Sequence, residues 1–102
     1  MAKGTIHVTI DGTSYPCRMT MGAMLRFKRE TGREVSEMDE KSLSDLMTLL
    51  WCCVASASRA DNLSFSYSLE DFCDKIDPED MERMQSSIYS EPKRGDVGEA
   101  LG

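Results

Sequence analysis

The sequence predicts an α+β domain in which an N-terminal β-hairpin packs on a small bundle of three to four α-helices. Two observations predict this class: residues 5–19 alternate as strands around an Asp-Gly turn, and later residues repeat apolar side chains at helical spacing. A chain of 102 residues has room for one domain, which we place at residues 1–90. Residues 91–102 are polar and glycine-rich without a period, so we expect a flexible, disordered C-terminal tail.

The hairpin is predicted from its alternation and its turn. Every second residue from Ile6 to Ile10 is isoleucine or valine, which is the period of a strand with one buried face. Asp11-Gly12 favours a type I′ turn, because both central positions of that turn need positive φ. The returning strand contains Pro16, which has no backbone donor, so we expect this strand to be an edge strand or to carry a bulge.

The first helix is predicted over residues 21–31, with Thr20 as its N-cap and Gly32 as its stop. Its apolar face carries Met21, Met24 and Leu25, with Phe27 at the margin. Arg26, Arg29 and Arg33 gather on the opposite side at spacings of three and four. We therefore expect a basic stripe on one side of this helix.

Three further helices follow. Ser42 caps the most apolar one, with Asp45 at the capping-box position. Its apolar residues cover so much of the circumference that more than one neighbour must pack on it; they are Leu43, Leu46, Met47, Leu49, Leu50, Trp51, Cys52, Cys53, Val54 and Ala57. Ser68 and Asp77 cap two shorter helices, and Pro78 occupies the first position of the last one. The expected inward residues are Leu69, Phe72, Cys73, Ile76, Met81, Met84 and Ile88.

The charge distribution limits the possible partners. Net charge is −6, but residues 1–33 carry six basic and two acidic side chains, whereas residues 34–102 carry six and 16. Such asymmetry is found in nucleic-acid-binding arms, in molecules that pair head to tail with their own copies, and in ordinary dipolar surfaces. Because nucleic-acid affinity comes mostly from neutralised phosphates, the acidic balance argues against a nucleic-acid partner.

Cysteine usage and hydropathy indicate the compartment. Cys52 and Cys53 are adjacent in a helical segment, where neighbouring side chains point about 100° apart and do not bridge easily. Residues 1–9 lack the apolar segment of a secretory signal, so we expect free thiols in a reducing cytoplasm. The longest apolar run, residues 49–55, is too short to cross a bilayer, and we expect no membrane partner.

The residue inventory argues against an enzyme. His7 is the only histidine, and we place it on the outward face of the first strand, where only Cys17 of the facing strand could pair with it as a nucleophile. Zinc needs about four Cys or His ligands at short paired spacings, which the chain lacks. The many carboxylates are explained as helix caps or solvated faces, and the glycines form no phosphate-binding loop. We expect no catalysis, no cofactor, no metal and no small-molecule substrate.

Three features are candidates for partner binding. The arginine stripe suits an acidic partner or the acidic part of a second copy, or is a solvated face. Trp51 is either core or, if exposed, a binding anchor. The eight methionines either form a pliable apolar surface or fill an irregular core. The candidate residues are Met24, Arg26, Phe27, Lys28, Arg29, Arg33 and Trp51.

The order of these parts resembles the tail assembly chaperones of long-tailed bacteriophages and prophages. In that family an "F-K-x-x-T-G" phrase follows a hairpin, and Phe27, Lys28, Thr31 and Gly32 match it here. A looser "S-x-E-x-F" phrase is matched by residues 68–72, after the apolar helix that begins at residue 42. The resemblance covers roughly residues 5–88. Its motifs are weakly specific one by one, and their order and spacing carry the likeness.

The resemblance implies a non-enzymatic protein of the bacterial host's cytoplasm. Such chaperones coat the long, helical tape measure protein before the tail tube polymerises around it, and they tend to self-associate. The expected partners are therefore the tape measure protein and further copies in a homo-oligomer.

Two alternatives remain open alongside an enzyme of unknown kind. One is a structural minor tail or connector protein of a prophage virion. The other is a DNA-binding regulator with a helix-turn-helix at residues 68–88. Its second helix would carry Glu79, Asp80 and Glu82 against one arginine, which would repel phosphates.

Overall fold

A hairpin followed by four helices forms the fold, which confirms the predicted α+β class. The computed structural model describes residues 5–89, so the predicted tail at 91–102 lies outside the described residues. The elements are β1 (Ile6–Ile10), β2 (Thr13–Cys17), α1 (Met21–Thr31), α2 (Leu43–Ala60), α3 (Leu69–Lys75) and α4 (Pro78–Tyr89). A 3₁₀ turn at Val35–Glu37, which the sequence did not predict, interrupts the polar connector before α2.

The hairpin forms as its sequence predicts. β1 and β2 pair antiparallel, with Val8 opposite Tyr15 and both side chains buried. Asp11 and Gly12 have φ values of 52° and 83°, the left-handed conformation that a type I′ turn requires. The two strands are the whole described sheet, so Pro16 lies in an edge strand, where its missing donor is tolerated.

Helix α1 begins and ends as predicted but buries a different face. Thr20 Oγ1 accepts from the backbone N–H of Ala23, and Gly32 ends the helix with a φ of 80°. The buried residues are Ala23 and Phe27, whereas Met21 and Leu25 are 72% and 64% exposed. The periodicity identified the apolar stripe of Met21, Met24 and Leu25. This stripe faces outward, because α1 packs on α2 through the side that carries Ala23 and Phe27.

Helix α2 is the centre of the core. Ser42 Oγ accepts from the backbone N–H of Asp45, as the predicted cap requires. Every residue from position 48 to 55 is buried, and the hairpin, α1, α3 and α4 all contact this helix. Covering on several sides is what an apolar stripe this wide predicts.

The last two helices are short and each depends on its cap and a few buried side chains. Ser68 Oγ accepts from the N–H of Asp71, and Asp77 Oδ1 accepts from the N–H of Asp80. Phe72 is the fully buried residue of α3 and Met84 that of α4. The remaining predicted inward residues of α3 are only partly buried, and they border a groove described below.

Candidate functional site

Two of the candidate residues contact each other rather than a free surface. The Arg26 guanidinium lies over the Trp51 ring, with its central carbon 4.7 Å from the ring centroid. The indole N–H of Trp51 donates to the carbonyl of Tyr67 at 2.9 Å, and the tryptophan is only 8% exposed. Trp51 is therefore part of the core, and Arg26 shields its outer face.

Arg33 is also engaged within the chain. Both terminal nitrogens of its guanidinium donate a hydrogen bond to the Asp45 carboxylate, each at 2.7 Å. Asp45 also accepts from the backbone N–H of Asp39. These hydrogen bonds, that of Arg33 first, lower the pKa of Asp45 to about 2. The predicted arginine stripe is thus not a free basic face: Arg26 and Arg33 tie α1 and its following turn to α2, while Arg29 is exposed.

The remaining candidate residues divide between core and surface. Phe27 is fully buried and cannot touch a partner in this fold. Met24, Lys28 and Arg29 are exposed, and they lie beside Met21 and Leu25 on the outer side of α1. We call these five residues the α1 ridge: an apolar first half followed by two positive charges one turn further along.

An open groove of about 900 Å³ lies between the start of α2, α3 and the start of α4. Its apolar lining includes Leu43, Met47, Leu69, Cys73, Ile76 and Met81. Leu43, the first residue of α2, is 63% exposed although it is apolar. Exposed apolar surface gathered in one concavity is typical of interaction sites.

The groove has an acidic rim. Glu70, Asp74 and Asp77 border it, and among the described residues its lining includes no lysine or arginine. The nearby Lys75 does not neutralise the rim, because its ammonium pairs with Asp11 of the hairpin turn at 3.3 Å. The groove is therefore apolar inside and negatively charged at its edge.

The ridge and the groove are separate surfaces of the molecule. Helix α1 packs on α2 through Ala23 and Phe27, so its ridge is turned away from that contact, with Met21 and Leu25 72% and 64% exposed. None of the five ridge residues lines the groove, and Leu43 of the groove is 63% exposed. Within one molecule, neither surface therefore covers the other.

His7 and Cys17, the one Cys–His pair considered from the sequence, do not lie together. His7 is exposed, whereas Cys17, opposite Ile6 in the register, is buried on the other face of the hairpin. All four cysteines are free thiols. Burial raises the pKa of Cys52 to about 11, and contact with Cys17 together with burial raises that of Cys53. Raised pKa values keep these thiols protonated, and the protonated form is a poor nucleophile.

The part of the chain that the structure describes holds no group of three or more His, Cys, Asp or Glu side chains that could bind a metal ion. Within the same residues, no helix is long and apolar enough to span a membrane. Comparison of the chain with protein-family models, with curated proteins and with solved structures gave no match.

Sequence reasoning missed the groove. Its lining residues were assigned to the inward faces of three helices, because apolar spacing shows which side of a helix avoids water but not whether a neighbour fills the space beside it. The one available signal was Leu43. It is an apolar residue at the first helical position after the Ser42 cap, and the buried part of α2 begins only after it.

Proposed function

We propose that this protein is a non-enzymatic tail assembly chaperone of a phage or prophage that binds the tape measure protein in the bacterial cytoplasm. The single observation that best supports this proposal is the open apolar groove between α2, α3 and α4. A groove between helices is one of the recurring ways in which proteins bind an amphipathic helix. A long helical protein with exposed apolar stripes is a partner of this kind.

The chemistry of the groove suits a partner of variable sequence. Met47 and Met81 are both among its lining residues. Methionine is unbranched and flexible, so a groove with two of them can adapt to different apolar side chains. A chaperone that coats many successive segments of one long helix needs this tolerance.

A pull-down with matched variants tests the proposal. The tagged chain would be expressed in cells that carry its native locus, and the bound proteins identified by mass spectrometry. Leu43→Asp places a charge in the groove, while its position at the start of α2 favours an acid. Leu63→Asp is the control, because Leu63 is 40% exposed, lies in the loop after α2 and is not among the residues that line the groove.

We expect the wild type and Leu63→Asp to recover a very long, predominantly helical protein. Leu43→Asp should recover it about tenfold less well, the effect of one lost apolar contact of about 1.4 kcal/mol. Recovery of only a compact virion protein, or equal recovery by both variants, would contradict the proposal. Purified virions provide a second criterion: an assembly chaperone should be absent from them, whereas a minor tail or connector protein should be present.

A further inference from the structure

The α1 ridge and the groove both present apolar side chains and carry opposite charges. The ridge presents apolar side chains followed by Lys28 and Arg29, and the groove presents apolar side chains bordered by Glu70 and Asp74. From Met21 to Arg29 the ridge spans eight residue steps, about 12 Å at helical rise. Helix α3, Leu69–Lys75, spans six steps, about 9 Å, so the two segments are of comparable length.

We infer that the groove of one molecule accepts the α1 ridge of a second copy. Because the ridge and the groove are both exposed and share no residue, a molecule does not fill its own groove. Each copy would offer its ridge to one neighbour and its groove to another, which is a head-to-tail, heterologous contact. The contact pairs two positive charges with an acidic rim and covers the three exposed apolar residues of α1.

Lys28 of the ridge and Glu70 and Asp74 of the rim are exposed and available to this interface. Lys28 is within 3.4 Å of Glu34, but both side chains are about half exposed or more, so this pair is weak and can exchange. Glu70 and Asp74 are exposed and are one helical turn apart on α3, on one side of the helix. Asp77, by contrast, caps α4 and is best left unchanged in any experiment.

If a second copy and the tape measure helix use the same groove, self-association and partner binding are mutually exclusive. This consequence rests on the proposed function, whereas the contact between copies does not. A copy in the groove would keep its apolar surface covered until a partner helix displaces it.

Sedimentation velocity of the purified full-length chain tests the contact. The interface is small, so we expect weak association and would measure from about 10 µM to 1 mM. The wild-type weight-average mass should rise with concentration above the monomer value of 11.4 kDa. Leu25→Asp on the ridge and Leu43→Asp in the groove should each remain monomeric, and the control Leu63→Asp should associate like the wild type.

A charge exchange between two variants separates a direct contact from damage to the fold. One variant carries Lys28→Glu and Arg29→Glu on the ridge, and the other carries Glu70→Lys and Asp74→Lys on the rim. Each alone places like charges opposite each other and should be monomeric, with far-UV circular dichroism and Trp51 emission like the wild type. Their equimolar mixture should associate again, because each ridge then meets a rim of opposite charge.

A wild type that stays monomeric to 1 mM would overturn the inference, and so would a mixture that fails to associate. The proposed function fails separately. In the pull-down Leu25→Asp should still recover the partner protein, because the ridge does not form the groove. If Leu25→Asp alone lost the partner protein, the partner would bind the ridge rather than the groove. The contact between copies would still stand.

Discussion

Replacing Arg26 with alanine should lower the free energy of unfolding by about 1 kcal/mol, although this arginine has the appearance of a surface residue in the sequence. Its guanidinium lies 4.7 Å from the centroid of the Trp51 ring, within the range of a cation–π contact. Such contacts contribute about 0.5–1 kcal/mol at exposed sites and about 2 kcal/mol when desolvated. Arg26 is half-buried, so an intermediate value applies.

The expected shift in melting temperature follows from the size of the domain. Unfolding entropy of about 2.1 cal/mol/K per residue over the 85 described residues is about 0.18 kcal/mol/K. A loss of 1 kcal/mol then lowers the melting temperature by about 5–6 °C. The melting temperature of Arg26→Lys should lie between those of the wild type and Arg26→Ala, because lysine keeps the charge but not the planar group that stacks on the indole.

Tryptophan emission during urea unfolding is the suitable assay, because Trp51 is the only tryptophan of the chain. The native emission of Arg26→Ala should also shift to longer wavelength, since removing the guanidinium exposes one face of the indole. Arg29→Ala is the matched control on the same helix and should change stability by less than about 0.5 kcal/mol. If the two variants unfold at the same urea concentration, the stacking does not stabilise the fold and our account of Arg26 is wrong.

Three other perturbations test the core, a helix end and the Arg33–Asp45 ion pair. Phe72→Ala should cost about 3–5 kcal/mol, because Phe72 is fully buried and is the main anchor of the short α3; a loss below about 1 kcal/mol in urea unfolding would contradict this. Gly32→Ala should cost about 1–2 kcal/mol and Gly32→Asn less, because φ is 80° and no atom lies within 4 Å of an added Cβ, so backbone strain alone decides the cost. The Asp45 pKa is lowered to about 2 by Arg33, so its contribution is complete above the unfolded pKa near 4 and is lost as the pH falls towards 2. The urea midpoint of Asp45→Asn should consequently depend less on pH between about 5 and 2 than that of the wild type or of the exposed control Glu40→Gln, and parallel pH profiles would refute the role of this pair.

The elements of the fold were predictable because their signals act within a few residues. The Asp11-Gly12 turn needs two positive φ values in succession, which few other dipeptides adopt. The caps at Thr20, Ser42 and Ser68 bond to backbone N–H groups three residues ahead, so the sequence alone contains both partners. These short-range contacts fixed the element order and most boundaries.

The candidate binding residues were less predictable, because their roles depend on contacts between distant segments. Arg33 and Asp45 are separated by 12 residues, and Arg26 and Trp51 by 25, so nothing in the local pattern links them. The sequence grouped Arg26, Arg29 and Arg33 by helical spacing. The structure gives two of them partners in α2 and leaves only Arg29 on the exposed ridge.

The sequence by itself determined that the chain is a hairpin followed by capped amphipathic helices, since periodicity and capping are local properties. Tertiary structure decided which apolar face of α1 is buried and where an apolar face stays open. Helix α1 packs through Ala23 and Phe27, and Gly22 lies so close to Ser56 that an added Cβ would be 2.7 Å from the Ser56 hydroxyl. The physical reason is that periodicity records how apolar side chains are distributed around their own helix. Their burial depends on which surface of another element packs against that helix.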